Sequence, residues 1–361
     1  MLASGNLSLD LGKLGFESRQ LEVFKKGIYA PNGLVLVTGP TGSGKTTTLY
    51  SALAELNTVS DNISTAEDPV EYNLEGINQT QVNKDVGLTF ASVLRALLRQ
   101  DPDTILVGEI RDYETAEVSI QAALTGHLVL STLHTNDAPS SITRLMNMGV
   151  EPFLVTSSVN TIIAQRLLRR VCPKCKTAAA LSKEEIGRVG FSPEDLQKLT
   201  LMKGRGCATC NNTGYKGRVA IYEVFDFTTE LKEMVLRGES IIDIRKRAVM
   251  SGMKSLRQSA LTRAAEGATT GEEALGATVE EEEEAEGTTT MPKISLPSLL
   301  KTMVEQNASD LHVTVGVPPQ FRISGKMVKV KTDALGPQDT KELCYQVLTD
   351  SQKAEFERNL E

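Results

Sequence analysis

The sequence is poor in the side chains that stack on nucleic-acid bases, and it has no excess of positive charge. Aromatic residues make up 4% of its 361 residues, tryptophan is absent, and 39 lysines and arginines stand against 46 aspartates and glutamates, a net charge of −7. Nucleic-acid-binding proteins usually combine a basic patch with aromatic side chains. The composition therefore argues against such a function, although an acidic total is compatible with a local basic channel.

Long apolar runs are missing as well. No run of about 18 apolar residues occurs, which is the length that predicts a transmembrane helix. The first ten residues lack the charged start and apolar core of a signal peptide. We therefore expect a cytoplasmic protein, and its length allows two or three domains of about 100–200 residues each.

Cysteine is rare, and four of the five cysteines form two C-x-x-C pairs: Cys172 with Cys175, and Cys207 with Cys210. In a reducing compartment such pairs favour a metal over a disulfide. Four thiolates can hold one tetrahedral Zn²⁺, and redox-active cysteines are the alternative. The fifth, Cys344, lies in a helical pattern and is predicted to be a packing residue.

A phosphate-binding loop is predicted near the start of the chain. An apolar run from residue 33, typical of a strand buried on both faces, leads into G-x-x-x-x-G-K-[ST] and then a predicted helix. Glycines let backbone amides face phosphate oxygens, the lysine reaches the β- and γ-phosphates, and the threonine offers a hydroxyl to Mg²⁺. A glycine-rich turn without a ligand is the alternative. The predicted nucleotide-binding residues are Gly39, Pro40, Thr41, Gly42, Ser43, Gly44, Lys45, Thr46 and Thr47.

Acidic residues follow two further predicted strands. Glu67 and Glu71 belong to an acidic stretch after a strand near residues 62–65, and Pro69 ends any regular element there. Glu109 follows an apolar strand in the manner of a Walker B acid. Ligands bind at the carboxyl ends of parallel strands. These acids are therefore predicted to hold Mg²⁺ and polarise water, and a solvated acidic turn is the alternative for the first stretch.

Histidine is scarce too, and two of the three histidines flank one predicted strand, at His127 and His134. A metal site, a buried histidine and a sensor of the γ-phosphate are the three interpretations, of which we favour the sensor. Downstream, residues 138–170 are predicted to be helical, residues 215–225 to form a strand and residues 230–265 to form helices.

The composition changes after residue 265. Residues 266–290 are rich in Gly, Thr, Ala and Glu, which predicts an acidic flexible linker or an extended acidic helix end. Residues 291–361 are predicted to form a small, incomplete α+β unit, with a helix over 296–306 and a hairpin over 320–330.

In this order, the phosphate-binding loop, the acidic stretch and the strands ending at Glu109 and His134 resemble the secretion-ATPase superfamily of type IV pili and type II secretion. The resemblance covers about residues 7–285, and the four-cysteine insertion, about residues 171–215, is similar to that of pilus-assembly motors and their type II secretion relatives. It implies an α/β fold with a RecA-like P-loop ATPase core over residues 1–265, assembled into hexamers.

The same resemblance implies the roles of the site residues and the cofactors ATP, Mg²⁺ and Zn²⁺. Lys45 and Thr46 would bind phosphate and Mg²⁺, and His134 would sense the nucleotide state. Of the acids, Glu71 and Glu109 would manage Mg²⁺ and the attacking water. Zinc would be held by Cys172, Cys175, Cys207 and Cys210.

Residues 291–361 resemble the first half of the PAS-like domain of the pilus retraction motor, through residues 307–312 and 317–322. In the family a PAS-like domain precedes the ATPase domain and supplies arginines to the nucleotide site, whereas here the segment follows it. A natural fusion, an engineered chain and a gene-prediction error are the interpretations.

From the resemblance we expect a hexameric ATPase that powers pilus assembly or type II secretion. It would act on an inner-membrane platform protein, peripherally at that membrane, and would bind no nucleic acid. A retraction motor, a nucleic-acid translocase and an ATP-binding fragment without efficient turnover are the alternatives.

Overall fold

The computed structural model describes residues 9–179, 201–278, 296–306, 308–314, 317–323 and 326–330, together with residues 336, 340 and 343. The chain divides into two compact units, Met1–Glu281 and Glu282–Glu361. The glutamate run at residues 280–284, Cys344 and residues 324–325 of the predicted hairpin lie outside the described residues.

One mixed sheet forms the centre of the first unit. Its strands are, in chain order, β1 (Gly33–Thr38), β2 (Ile63–Glu67), β3 (Asn78–Gln81), β4 (Thr104–Val107), β5 (Leu128–Leu133), β6 (Val159–Val171) and, after a small pair β7 (Lys176–Ala178) and β8 (Met202–Gly204), β9 (Tyr215–Asp226). The spatial order is β3-β2-β4-β5-β1-β6-β9. Neighbours from β3 to β6 are parallel, whereas β9 pairs antiparallel with β6.

Helices cover both faces of this sheet. They are α1 (Ser18–Ile28), α2 (Lys45–Leu56), α3 (Phe90–Leu97), α4 (Tyr113–Leu124), α5 (Ser140–Asn147), α6 (Pro152–Ser158), α7 (Thr229–Leu236), α8 (Ile241–Met250), α9 (Leu256–Ala265) and α10 (Gly271–Gly276). Strand β1 is buried throughout, as its apolar run predicts. Leu34 and Leu36 belong to a core cluster with residues of α3 and α4, and Val35 and Val37 to one with residues of α1 and α2.

The helical prediction for residues 138–170 is wrong in its second half. Helices α5 and α6 are followed by β6, a strand of 13 residues. The run from Ala164 to Arg169 is rich in good helix formers, but β6 gains ladder partners on both sides, parallel to β1 and antiparallel to β9. These non-local hydrogen bonds, together with burial of the β-branched Ile162 and Ile163, override the local preference.

Ordered structure continues past residue 265, into the predicted linker. Thr270 caps α10 through its side chain, which accepts a hydrogen bond from the Glu273 amide. The Glu273 carboxylate in turn accepts from the backbone amide of Arg169 at 2.9 Å and from its guanidinium at 2.6 and 2.8 Å. This pairing with β6 explains why residues 266–278 are ordered and do not form a free linker. The linker prediction missed it because local composition carries no trace of a distant partner.

The second unit contains α11 (Leu296–Glu305) and the strands β10 (Asp310–His312), β11 (Gln320–Ile323) and β12 (Lys326–Lys329). The strands form an antiparallel sheet in that order, so the predicted helix and hairpin are confirmed. Leu299, Phe321 and Leu343 form its buried core. Across the described parts of both units, no helix combines the length and apolar character needed to cross a membrane.

Candidate functional site

The loop between β1 and α2 has the backbone shape that its glycines predict. Gly42 and Gly44 have φ angles of +80° and +91°, which glycine adopts without a Cβ clash. A Cβ on Gly39 would lie 2.4 Å from the carbonyl oxygen of Gln165. The Lys45 Nζ donates to the carbonyl oxygens of Gly39 at 2.8 Å and Pro40 at 3.1 Å. The Lys45 side chain therefore folds back from the start of α2 over the loop that precedes this helix.

A cleft of about 420 Å³ opens beside this loop. It lies at the carboxyl ends of the parallel strands, where open α/β sheets bind ligands. Among the predicted site residues, those that line it are residues 41–47, Glu67, Glu71, Glu109 and His134. The structure thus brings together the loop and the polar residues that follow three other strands.

Glu109 is the acidic residue most closely engaged with other site residues. It is 8% exposed, and its Oε2 atom lies 3.3 Å from His134 Nε2 and 2.6 Å from Arg111 Nε. Burial lowers the pKa of Lys45, and the negative charge of Glu109 opposes that shift. The cleft therefore brings together the partly buried ammonium of Lys45, the carboxylate of Glu109 and the imidazole of His134. This combination suits an anionic ligand accompanied by a metal ion.

Glu67 and Glu71 differ in environment although both belong to the acidic stretch. Glu71 is exposed, whereas Glu67 is buried. One Glu67 oxygen accepts from Thr65 at 2.6 Å and from Gln79 at 3.0 Å, and the other accepts from the Tyr50 hydroxyl. Burial and the Glu67 carboxylate raise the pKa of Tyr50. Glu67 is thus a buried part of the cleft wall whose oxygens are hydrogen-bonded to the protein, and Glu71 is open to a ligand.

The two histidines lie at opposite ends of β5. His134 lines the cleft, whereas His127 Nδ1 lies 3.1 Å from the carbonyl oxygen of Ala122, at the end of α4. They do not share one metal site. In the part of the chain that the structure describes, the four cysteines are the one group of three or more histidine, cysteine or acidic side chains whose ligand atoms lie close enough together to share an ion.

The sulfurs of Cys172, Cys175, Cys207 and Cys210 all lie within 4.8 Å of one another. Three of the separations are 3.7, 3.8 and 3.9 Å, and sulfurs each about 2.3 Å from one Zn²⁺ would lie about 3.8 Å apart. Burial opposes ionisation of the Cys210 thiol, but the amides of Cys207 and Gly214 and the neighbouring cysteines lower its pKa to about 6. The donor set and its spacing fit a tetrahedral metal ion.

A model of the Type II/IV secretion system protein family matches residues 1–276. The chain belongs to this family. The family prediction is thereby confirmed for the first unit, while the resemblance of residues 291–361 to a retraction motor lies beyond the match and stays a prediction.

Relatives in this family are similar over the same region. The type IV pilus assembly ATPase PilB of Myxococcus xanthus strain DK1622 is 56% identical over 279 residues, 77% of this chain and 49% of that protein. The type II secretion system protein E of Pseudomonas aeruginosa is 50% identical over 273 residues, 76% of this chain and 54% of that protein. The chain therefore spans about half the length of the curated relatives it matches.

A solved member of similar fold is the pilus retraction motor PilT with bound ADP. Its crystal structure superposes with a TM-score of 0.57 at 30% identity and covers 76% of this chain and 68% of that one. The first unit is thus an α/β ATPase fold with a mixed, mostly parallel sheet like that of PilT.

Some residues of the cleft were not predicted. Arg218 of β9, Leu167 of β6 and Tyr72 line it, and Arg111 contacts Glu109. Arg111 follows Glu109 by two residues, and a basic residue at this spacing is a sequence signal from which the ion pair could have been predicted. Arg218 has no comparable signal, because only the pairing of β9 with β6 brings it to the phosphate-binding loop.

Proposed function

We propose that this chain hydrolyses ATP and is the ATPase part of a motor for type IV pilus assembly or the related type II secretion. The observation that carries the proposal is one cleft that joins the Lys45 loop to Glu109 and His134. The choice of motor is supported by the names of two relatives, the pilus assembly ATPase at 56% identity and the type II secretion protein at 50%.

Nucleotide binding would rest on the loop. Its backbone amides, the N-terminus of α2 and Lys45 would bind the β- and γ-phosphates. The hydroxyl of Thr46 lines the same cleft as the carboxylates of Glu71 and Glu109, and oxygen donors of this kind suit Mg²⁺. Bound there, Mg²⁺ would neutralise charge on the phosphates.

Hydrolysis would depend on positioning and charge stabilisation more than on covalent chemistry. Glu109, already hydrogen-bonded to His134, would orient the attacking water, and His134 would sense the γ-phosphate through that bond. Glu71, exposed at the cleft, would contact the water or the ion. We assign Glu67 a supporting role, because its oxygens already accept hydrogen bonds from the protein.

The finer features of the fold belong to the same proposal. The core would be RecA-like, and residues 291–361 would be a partial PAS-like unit after a linker. The four cysteines would hold one structural Zn²⁺, supported by their spacing. The chain would work as a cytoplasmic hexamer, peripheral to the inner membrane, on a platform protein there, without nucleic acid.

A retraction motor is the second candidate. It is favoured by the superposition on PilT, but the 56% identity to a pilus assembly ATPase is much higher than the 30% to PilT. A nucleic-acid translocase would require ATPase activity that DNA or RNA stimulates and that falls steeply with salt.

The test is phosphate release by the full chain with Mg²⁺ and ATP. Turnover is expected from the natural sequence and should fall by at least about 10³-fold in Lys45→Ala. The reason is that the Lys45 ammonium would stabilise the negative charge on the transferred phosphoryl group in the transition state. Lys13→Ala, at a lysine whose side chain is 70% exposed, is the matched control and should keep full activity. Equal inactivity of the natural chain and Lys45→Ala would refute the enzyme proposal and leave the ATP-binding fragment.

A further inference from the structure

Outside the lining of the nucleotide cleft, the first unit buries a carboxylate that the proposed reaction does not use. Glu223 of β9 is 1% exposed. Its Oε1 atom accepts a hydrogen bond from the backbone amide of Ala138 at 2.7 Å, and its Oε2 atom accepts one from the amide of Leu256 at 3.3 Å. Ala138 lies in the loop after β5, and Leu256 is the first residue of α9. One side chain therefore joins two segments that are remote in sequence.

Three charged groups surround this carboxylate. Arg245 of α8 lies 4.0 Å from Glu223 and 2.7 Å from Asp137 in the loop after β5. Arg166 of β6 donates to the carbonyl oxygen of Asn136 at 3.1 Å, and burial lowers its pKa against the opposing charges of Asp137 and Glu223. The loop after β5 is thus contacted by side chains from β6, β9 and α8.

The same loop reaches the nucleotide cleft at its other end. It begins at His134, which lines the cleft beside Glu109. The next residue, Thr135, donates its backbone amide to the hydroxyl of Thr38 at 2.8 Å. Thr38 is the last residue of β1 and directly precedes Gly39 of the phosphate-binding loop. Residues 134–138 therefore connect the phosphate-binding strand to Glu223 through short hydrogen bonds.

We propose that Glu223 is a positioning residue that ties the loop carrying His134 to the start of α9, so that nucleotide bound in the cleft alters the C-terminal helices through this tie. The proposal rests on the proposed function in one respect, since it takes the phosphate-binding loop to bind nucleotide. The tie itself needs no turnover, because it consists of two amide hydrogen bonds to one buried side chain.

The electrostatics give the tie a measurable signature. Burial raises the pKa of Glu223 to about 7, against the opposing effects of the Ala138 amide and of Arg245. A state in which the loop opens and hydrates Glu223 would return its pKa to the ordinary value, so opening releases a proton. Opening should therefore become easier as the pH rises, by about tenfold between pH 6 and pH 8.

Hydrogen exchange at the two amides tests the tie without nucleotide. After correction for intrinsic rates, peptides with Ala138 and Leu256 should exchange about tenfold faster at pH 8 than at pH 6. Glu223→Gln should abolish that dependence, and Arg245→Gln should move its midpoint upward, because Arg245 lowers the pKa of Glu223. Glu233→Gln, at a glutamate whose side chain is 61% exposed, should behave like the natural chain. The same pH dependence in Glu223→Gln would overturn the proposal.

Adding ADP with Mg²⁺ tests the transmission. In the natural chain, exchange should change by at least about twofold in peptides spanning residues 39–46, 134–138 and 254–258. In Glu223→Leu, only the first two should respond. A protected phosphate-binding loop without any change at 254–258 in the natural chain would overturn the transmission and leave the proposed function intact. A loop unaffected by ADP would overturn the proposed function, while the pH experiment would still decide on the tie.

Discussion

The nucleotide cleft and the four-cysteine cluster are assembled in different ways. The cleft takes its polar groups from the ends of β1, β2, β4 and β5 and adds Arg218 from β9, so every group depends on the sheet order. The cysteine cluster takes its ligands from two tight turns, each closed by a hydrogen bond between residues three apart, such as the Cys210 amide to the Cys207 carbonyl. A site assembled from distant strands should be disturbed by changes in the sheet, whereas the proposed zinc site should be disturbed by loss of any one of its four ligands.

Removing the metal should give the largest effect, and it should stay local. Cys207→Ser should reduce bound zinc from about one ion per chain to almost none, because a structural site needs all four ligands. The apparent free energy of zinc binding in such sites is about 10–16 kcal/mol, so the segment around β7 and β8 should become protease-sensitive. Metal analysis and limited proteolysis would measure both.

The contrast between the two sites would be wrong if loss of zinc also disturbed the nucleotide cleft. We expect the affinity for ADP to change by less than about threefold in Cys207→Ser, because the cleft groups are held by the sheet. Cys344→Ser is the control and should retain its zinc. Retention of zinc by Cys207→Ser, or zinc-free natural protein, would contradict the metal assignment.

Glu109→Gln should give the next largest effect, and it should fall on turnover. The amide keeps the size of the side chain but removes the charge that faces His134 and Arg111. We expect kcat to fall by about 10²–10³-fold, the usual cost of losing one transition-state group, with nucleotide affinity changed far less. Steady-state phosphate release and ADP titration separate the two quantities.

The matched change for Glu109 is Glu114→Gln, because Glu114 makes an exposed ion pair with Arg95. It should keep kcat within about twofold, since surface pairs contribute about 0–1 kcal/mol. Equal losses in the two variants would show that the assignment of Glu109 to the reaction is wrong.

Tyr50→Phe should give the smallest of the three effects and tests the hydrogen-bonded support in the cleft wall. It removes the donor to the buried Glu67 carboxylate, which costs about 1–3 kcal/mol in the free energy of unfolding. Tyr29→Phe removes a similar bond to Glu55, but at an exposed tyrosine, and should cost less than about 0.5 kcal/mol. Urea unfolding of both variants measures the difference, and equal costs would contradict a supporting role for Glu67.

The elements with strong local signals are those that the structure matches. The apolar run of β1, the glycines of the loop and the hairpin of β11 and β12 all carry their geometry in adjacent residues. Strand β6 and helix α10 do not. The former is a strand because β1 and β9 supply its hydrogen-bond partners, and the latter is docked by Arg169. Sequence periodicity reports neither partner.

The same division separates the acidic residues. Their types and positions after strands were enough to select Glu67, Glu71 and Glu109, but not to distinguish the buried, fully bonded Glu67 from the exposed Glu71. Glu223 has no distinguishing neighbour in the sequence at all. Its significance arises from burial between a loop and a helix start that lie far from it along the chain.

Local chemistry alone therefore specified the phosphate-binding loop and the paired cysteines of this protein, because a turn's backbone and its ligand atoms come from a few consecutive residues. The tertiary structure decided which carboxylates face the cleft, where Arg218 lies and what holds the His134 loop. Those features depend on the order of the strands and on desolvation by distant parts of the chain, and both arise only when the sheet is complete.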